Sequence, residues 1–300
     1  MGKPGRVGSF RICITINIDE EATRTMDAAP LAGPSAMSET FVGSRTVQVT
    51  TSWDDGHVLD HCVAGLLDTY GIAGTFYVAP RNVELARRVR MGRRDLRALA
   101  ADFEIGGHTL NHLRLTTIPD AVAEREIGDG KDELEQLLGV PLRSFCYPGG
   151  AYDRRHKSMV RSAGFEYART IRRYETRSSC AMEVHTTVHA YRHLCDLPDM
   201  LRLSKGSPRR TAHYFWNWDI LAMALFDQVL ATGGVYHLWG HSWEIDQNRD
   251  WERLERVLGY IARRPGVRYV TNSETAPPAG NRLDGRTPPP EPPGRAGAAS

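Results

Sequence analysis

Two adjacent carboxylates, Asp54 and Asp55, follow a segment rich in β-branched residues and precede Gly56. Neighbouring carboxylates cannot both ionise at low cost unless a cation or a proton separates their roles. One of them could therefore bind a metal ion while the other acts as a base. The triplet Asp-Asp-Gly is also common in turns, so a simple turn or helix cap is the alternative interpretation.

Two histidines four residues apart, His108 and His112, lie in the segment GGHTLNH at 106–112. On one face of a helical turn, two imidazole nitrogens can reach a single metal ion at about 2.0–2.1 Å. With one carboxylate they would supply three protein ligands and leave a position open for water, which is the pattern of catalytic zinc. The second carboxylate would be free to act as a base on that water. A histidine pair alone is a weak signal, because such residues are often exposed on the surface.

Two further segments could contribute to a site, which are FCYPGG at 145–150 and VYHLWGHSWE at 235–244. Glycine lets a backbone N–H approach a ligand closely, so Gly149 could stabilise a developing oxyanion, although an ordinary loop is the alternative. His241 ends the second segment's strand-like portion and would project at the same rim. A histidine that titrates near neutral pH is suited to protonate a leaving amine.

The elements that must position these groups alternate between strand and helix. Strand-like segments lie at 46–53, 74–78, 103–106, 142–147, 167–171, 235–240 and 267–270, and helical ones at 59–70, 93–102, 121–138, 156–163, 218–231 and 249–263. This alternation predicts parallel strands joined by helical crossovers. Six or seven such units favour an α/β fold, a distorted (β/α) barrel of about seven parallel strands in a single domain, with the active site at the C-terminal strand ends.

The two ends of the chain lack this alternation. Residues 1–44 are predicted to be a flexible lead-in, and Met37 is an alternative start. Residues 276–300 are rich in proline and glycine and are predicted to be disordered. The catalytic domain is therefore expected at 45–275.

Composition excludes several classes of protein. The 38 basic and 36 acidic side chains give a net charge of +2, which excludes a charge-driven binder of nucleic acid. No apolar run reaches the roughly 18 residues that span a bilayer, and Arg11 interrupts the one N-terminal apolar run, so neither a membrane span nor an export signal is expected. Five irregularly spaced cysteines without a C-x-x-C pair favour a reducing, cytoplasmic location. The oligomeric state is left open.

In chain order, the segments TSWDDG, GGHTLNH, YPGG and LWGH resemble the motifs of the polysaccharide deacetylase family, also called the NodB-homology or carbohydrate esterase 4 domain, over about residues 46–272. The resemblance implies a distorted barrel that uses one divalent metal ion, with zinc expected and cobalt or nickel as alternatives. The resemblance implies that Asp54 is the general base and that Asp55, His108 and His112 are the metal ligands. It also implies that His241 is the general acid and that the backbone N–H of Gly149 binds the oxyanion.

The sequence departs from the family pattern at two motifs. Cys146 stands where the third motif has an arginine that orients the base, and Arg169 in the next strand is the predicted replacement, since arginine can pair with a carboxylate through two donors. The fourth motif has altered order in the segment 216–219, where Trp218 could line the substrate pocket or belong to the core. Tyr147 is a further candidate for substrate or oxyanion binding. His185 and His189 are interpreted as structural or surface residues.

The leading functional hypothesis is a metal-dependent hydrolase that removes acetyl groups from an N-acetylated sugar or glycan precursor. A second hypothesis is hydrolysis of another C–N bond, such as a cyclic amide, imide or ureide, because the motifs indicate metal-activated water and not the acyl group. A third, from a different class, is a non-catalytic carbohydrate-binding module. The expected partner is an N-acetylated carbohydrate or small amide inside the cell.

Overall fold

The computed structural model describes residues 46–275, so the flexible segments predicted at 1–44 and 276–300 lie outside the described residues. Eight strands form one sheet: β1 Val47–Asp54, β2 Gly74–Val78, β3 Glu104–Gly107, β4 Ser144–Cys146, β5 Tyr167–Arg169, β6 Val188–His189, β7 Gly234–Gly240 and β8 Val267–Tyr269. They are ordered β5-β4-β3-β2-β1-β7-β6, with β8 also paired to β1. Every strand pair is parallel, as the alternating pattern predicts.

The stretch of chain between β5 and β7 joins the two edges of this sheet. Val184 forms a parallel bridge with Arg169 at one edge. A few residues later, β6 pairs with β7 at the other edge. The sheet therefore curls round, and the predicted distorted (β/α) barrel in a single α/β domain is confirmed.

Nine helices surround the sheet within the described residues: α1 Asp60–Tyr70, α2 Arg93–Leu99, α3 Asp120–Leu138, α4 Arg154–Ser162, α5 Leu197–Leu203, α6 Pro208–Trp216, α7 Trp218–Thr232, α8 Ser242–Asn248 and α9 Trp251–Ile261. Six of them lie where the helical pattern predicts them. The sequence pattern did not indicate the other three, α5, α6 and α8, which have 7, 9 and 7 residues. Among the described residues, no helix combines the length and the hydropathy that crossing a bilayer requires.

Strand β1 runs through the centre of the fold and is buried along almost its whole length. Parallel sheets are covered on both faces, which explains the run of apolar and β-branched residues rather than an alternating pattern. Polar side chains inside the barrel are hydrogen-bonded to each other. Ser52 Oγ lies 2.8 Å from His237 Nε2, and Thr50 Oγ1 donates to Asn272 Oδ1 at 2.8 Å. Such pairing lets polar groups be buried at little cost, and it fixes the strands whose ends carry the functional groups.

Candidate active site

The four polar segments singled out in the sequence meet at the carboxyl end of the sheet. Asp54 is the last residue of β1, and Cys146 is the last residue of β4. His108 directly follows β3, and His241 directly follows β7. Because parallel strands end at the same edge, elements far apart in sequence deliver their side chains to one place.

Asp55, His108 and His112 bring three potential metal-binding atoms together. Asp55 Oδ1 lies 3.2 Å from His112 Nε2 and 3.7 Å from His108 Nε2. The two imidazole Nε2 atoms are 3.1 Å apart. One carboxylate and two imidazoles form a donor set that suits zinc and leaves a coordination position open.

The hydrogen bonds around these residues leave the facing atoms available for a cation. Trp243 Nε1 donates to Asp55 Oδ2 at 2.9 Å, while the buried Oδ1 faces the two imidazole Nε2 atoms. His108 Nδ1 lies 2.7 Å from the Cys146 carbonyl oxygen. A donor at Nδ1 fixes the tautomer whose Nε2 carries a lone pair. The residues present therefore fit a divalent cation.

Three residues around this cluster have backbone conformations that non-glycine residues rarely adopt. Asp55, Thr109 and His112 have φ angles of 84°, 63° and 67°. Non-glycine residues in this region carry strain, which proteins retain mainly at functional sites. The strained backbone therefore sets the direction of the Asp55 and His112 side chains.

Two residues of the cluster carry the charge that a metal ligand requires. Burial lowers the pKa of His108 to about 4, with a further contribution from His112. Burial opposes ionisation of Asp55, but the hydrogen bond to His112 and the neighbouring histidines outweigh it and hold its pKa below the usual range. At neutral pH, His108 is a neutral imidazole and Asp55 is a carboxylate. For the third, burial lowers the pKa of His112, but the hydrogen bond to Asp55 and the Asp55 charge outweigh burial and raise that pKa.

Asp54 is held by the guanidinium of Arg169. Arg169 Nη2 contacts both carboxylate oxygens of Asp54, and both side chains are buried. The guanidinium carbon also lies 4.7 Å from the ring centre of Trp239 and 5.2 Å from that of Tyr77. Burial raises the pKa of Asp54, yet the charges of Arg169, His108 and His241 together outweigh burial and keep that pKa below its usual value. Asp54 is therefore an ionised carboxylate in a fixed orientation.

Cys146 lies beside both Asp54 and Arg169. It is the register partner of Arg169 on the neighbouring strand. Arg169 Nη2 donates to Cys146 Sγ at 2.9 Å, and the thiol lies 3.7 Å from Asp54 Oδ2. Burial raises the pKa of the Cys146 thiol. The side chain is thus a small neutral group that leaves room for the guanidinium.

His241 is paired with Glu244 on the first turn of α8. His241 Nδ1 lies 2.6 Å from Glu244 Oε2, and its Nε2 faces Asp55 Oδ2 at 3.9 Å. His189 Nε2 lies 3.1 Å from the same Glu244 oxygen, and the His189 ring stacks on Trp239 at 3.7 Å. Burial lowers the pKa of His241, but the hydrogen bond to Glu244 and the two aspartates outweigh it and raise the pKa to about 9. His241 is therefore a proton donor at neutral pH.

A hydrogen bond from Ser242 to Asp60 ties the His241 loop to α1. Ser242 Oγ donates to Asp60 Oδ1 at 2.6 Å, and both residues are buried. Because α1 follows the Asp54-Asp55 turn, this bond connects the segment that carries the carboxylates with the segment that carries His241.

The three residues predicted for substrate or oxyanion binding are placed differently. Gly149 is exposed after β4 with φ +59°, and a Cβ there would meet Arg114 Nε at 2.9 Å. The Tyr147 side chain is fully buried, and its hydroxyl donates to the Met182 carbonyl. Trp218 is 3% exposed, and its Nε1 donates to Asp250. Only Gly149 offers an accessible group, because the rings of Tyr147 and Trp218 are enclosed by the core.

Several residues at the site were missed in the sequence. Glu244 and Trp243 contact His241 and Asp55, and His189, interpreted as structural or surface, lies beside them. The spacing His241-x-x-Glu244 is the one available signal, since residues three apart lie together on a helical turn. His185 is outside this group and contacts Thr170.

The curled parallel α/β sheet places a buried carboxylate–histidine set and an arginine-held carboxylate together at its strand ends, an arrangement that can activate water for hydrolysis. Residues 44–168 match the model of the family described as polysaccharide deacetylase, and the resemblance carried by the motifs is confirmed. This match supports deacetylase-type hydrolase activity. No curated protein shows significant sequence similarity to the chain.

Solved structures also resemble the fold. A putative polysaccharide deacetylase from Mycobacterium smegmatis is 18% identical over 83% of this chain and 92% of its own, with a TM-score of 0.56. A Streptococcus pyogenes deacetylase, PplD, in complex with acetate is 17% identical over 45% of this chain and 62% of its own, with a TM-score of 0.43. A putative polysaccharide deacetylase from Bacillus anthracis is 20% identical over 45% of each chain, with a TM-score of 0.39. The chain thus spans less than two thirds of the latter two proteins.

Proposed function

We propose that this protein is a divalent-metal-dependent deacetylase that hydrolyses an N-acetyl group on a carbohydrate or glycan precursor. The observation that carries the proposal is the convergence of Asp55 Oδ1, His108 Nε2 and His112 Nε2 beside the ionised Asp54. These three residues would hold the cation, for which zinc is the proposed identity. When bound, the cation would polarise the amide carbonyl and lower the pKa of the attacking water.

The protein's own residues account for the proton transfers. Asp54 accepts a proton as the water oxygen attacks the carbonyl carbon, and Arg169 keeps this carboxylate ionised and oriented. His241 then donates a proton to the nitrogen as the C–N bond breaks, so that the products are acetate and a free amine. General acid and base groups of this kind each contribute about 10²–10⁴-fold.

Glu244 and Gly149 complete the proposed machinery. Glu244 accepts a hydrogen bond from His241 Nδ1. This bond stabilises the protonated imidazole and directs its Nε2 towards Asp55. Gly149 is accessible and has the positive φ that glycine tolerates, and its N–H is the proposed donor to the oxyanion. A cytoplasmic location is retained as part of the proposal, on the cysteine pattern of the sequence.

An acetate-release assay tests the proposal. The purified protein, loaded with Zn²⁺ or Co²⁺, is incubated with N-acetylated mono- and oligosaccharides and with cyclic imides. We expect acetate from an N-acetylated sugar, loss of turnover in Asp54→Asn, and wild-type turnover in the matched control Asp129→Asn, which alters an exposed aspartate on α3. Hydrolysis of imides without acetate release would replace the proposed deacetylase by an enzyme that cleaves another C–N bond. Metal-loaded protein that is inactive on both substrate classes but still binds sugar would favour a binding module.

A further inference from the structure

Exposed large apolar side chains are concentrated in one short part of the chain. Among the described residues there are seven, and four of them lie within 192–216. Leu194 and Trp216 are 73% and 57% exposed, and Leu197 and Leu201 are 37% and 43% exposed. The remaining three are scattered, at Val83, Val140 and Leu230. Single exposed apolar residues need no explanation, but a cluster marks an interaction surface.

The four clustered side chains are arranged by α5, α6 and the short turn before α5. Leu194, Leu197 and Leu201 are spaced three and four residues apart along the turn Leu194–Asp196 and α5, which places them on one face. Trp216 ends α6, which packs against α5. The Arg192 guanidinium lies 4.8 Å from the Trp216 ring centre and links Trp216 to the residues just before Leu194. We call Leu194, Leu197, Leu201 and Trp216 the α5–α6 patch.

Basic residues dominate the exposed charges of residues 192–216. The stretch 192–216 contains five basic residues, which are Arg192, Arg202, Lys205, Arg209 and Arg210, and two acidic ones, which are Asp196 and Asp199. Asp196 is buried against Arg173, and Asp199 pairs with Arg202 at 2.6 Å. Arg192, Lys205, Arg209 and Arg210 are exposed. The stretch 192–216 therefore combines the apolar patch with exposed positive charge, in a chain whose net charge is only +2.

We propose that the α5–α6 patch docks the protein on an anionic lipid surface. Leucine and tryptophan side chains on a surface helix enter the boundary between headgroups and acyl chains, and neighbouring basic residues pair with anionic headgroups. A second copy of the chain is a poorer occupant, because a two-fold contact would set the same basic residues against each other.

The patch begins next to the candidate active site. His193, which precedes Leu194, has its Nε2 2.6 Å from His189 Nδ1, and the His189 ring centre lies 5.6 Å from that of His241. Docking would therefore hold the site close to the membrane surface. Resting on the proposed function, this position suits an acetylated sugar carried on a lipid, whereas the docking itself does not depend on the reaction.

Vesicle co-sedimentation of the full chain tests the docking. We expect binding to vesicles of equal parts phosphatidylglycerol and phosphatidylcholine and little binding to phosphatidylcholine alone. The double variant Leu197→Ser/Leu201→Ser and the double variant Arg209→Glu/Arg210→Glu should each bind about tenfold more weakly. The matched controls Val140→Ser/Leu230→Ser and Arg87→Glu/Arg88→Glu change equally exposed residues elsewhere and should bind like wild type.

Three results would overturn the docking proposal. The first is wild-type protein that stays in the supernatant with anionic vesicles, and the second is equal binding by the patch variants and their controls. The third is a wild-type dimer that Leu197→Ser/Leu201→Ser converts to monomer without any vesicle binding, which would make a second copy the occupant. Acetate release from a soluble substrate is measured on the wild type and the same variants. Wild-type protein that binds anionic vesicles but releases no acetate would count against the proposed reaction and leave docking intact.

Discussion

Arg169 and Cys146 occupy neighbouring positions beside Asp54. They are register partners on β5 and β4, so the two positions lie side by side at the same end of the sheet. An arginine on either strand can reach Asp54, provided that the other position is small. Cys146 meets that condition and accepts a hydrogen bond from the guanidinium.

The replacement of Arg169 tests this assignment. In Arg169→Ala, Asp54 loses its partner and its pKa rises, so kcat should fall about 10²-fold and the acidic limb of the kcat/KM profile should move to higher pH. Arg169→Lys keeps the positive charge and should recover part of the loss. Steady-state kinetics across pH measure both effects.

The control for Arg169 is Arg143→Ala, which removes an exposed ion pair with Glu166 and should leave the kinetics unchanged. A role limited to structure predicts a lower rate at every pH without movement of the acidic limb. An unchanged profile in folded Arg169→Ala would therefore remove Arg169 from the mechanism.

Glu244 makes a separate prediction for the alkaline side of the profile. The pKa of His241 is raised to about 9 by Glu244 and the two aspartates, and the imidazole donates a proton only below that pKa. In Glu244→Gln the negative charge is lost and the pKa of His241 falls, so the alkaline limb should move to lower pH. Glu252→Gln, an exposed change on α9, should leave the limb in place. An alkaline limb that does not move in Glu244→Gln would show that Glu244 does not act through His241.

At the scale of elements, the approach of β3 to β2 depends on a glycine. A Cβ at Gly106 would lie 2.4 Å from the ring of Tyr77 and 2.8 Å from Ser144 Oγ, and the buried ring has no space to move. Gly106→Ala should therefore lower the free energy of unfolding by about 1–3 kcal/mol.

A second glycine provides a control of opposite sign. A Cβ at Gly128 on the α3 surface meets nothing within 4 Å. Gly128→Ala should raise the free energy of unfolding by about 0.5–1 kcal/mol, because alanine loses less backbone entropy in a helix. Urea unfolding measures both, and equal effects of the two variants would contradict the close approach at Gly106.

Predictability from sequence followed the local apolar pattern more than length, since the three-residue strands β4, β5 and β8 were also predicted. The five-residue and longer strands β1, β2 and β7 and the helix α3 carry full apolar patterns and were predicted. Strand β6 has two residues, and no pattern can indicate so short an element. The short helices α5 and α6 that follow it were not among the predicted helical segments.

The site shows the same division. Contiguous motifs indicated Asp54, Asp55, His108, His112 and His241, because strand ends in a parallel sheet meet. The contact of Glu244 with His241 depends on α8 beginning at Ser242, which the sequence did not indicate. Burial of the Tyr147 and Trp218 rings is set by distant packing, which local sequence does not report.

At the scale of the whole molecule, an even average charge conceals a local asymmetry. The net charge of +2 argues against binding of nucleic acid driven by the charge of the whole chain. Residues 192–216 nevertheless contain three more basic than acidic residues. Surface attraction depends on local charge within a Debye length, about 8–10 Å at physiological salt. Composition therefore describes the chain as a whole and not the surface next to the site.

Metal binding should be visible in the stability of the whole fold. Asp55 follows β1, whereas His108 and His112 follow β3, so a cation would cross-link two segments separated by β2. A ligand that binds only the folded state at 100 times its Kd stabilises by about 2.7 kcal/mol. For a domain of this size we expect Zn²⁺ to raise the Tm of protein dialysed against EDTA by about 5–10 °C.

Variants at neighbouring aspartates separate a ligand from a base in that measurement. Asp55→Asn should abolish the rise in Tm, because it removes a charged ligand, while Asp68→Asn on the exposed face of α1 should keep it. Asp54→Asn should keep most of the rise but lose turnover, since Asp54 faces Arg169 rather than the two imidazoles. A rise in Tm that persists in Asp55→Asn but disappears in Asp54→Asn would show that Asp54 is the ligand and Asp55 the base. A wild-type Tm that does not change with Zn²⁺ would show that this cluster binds no zinc.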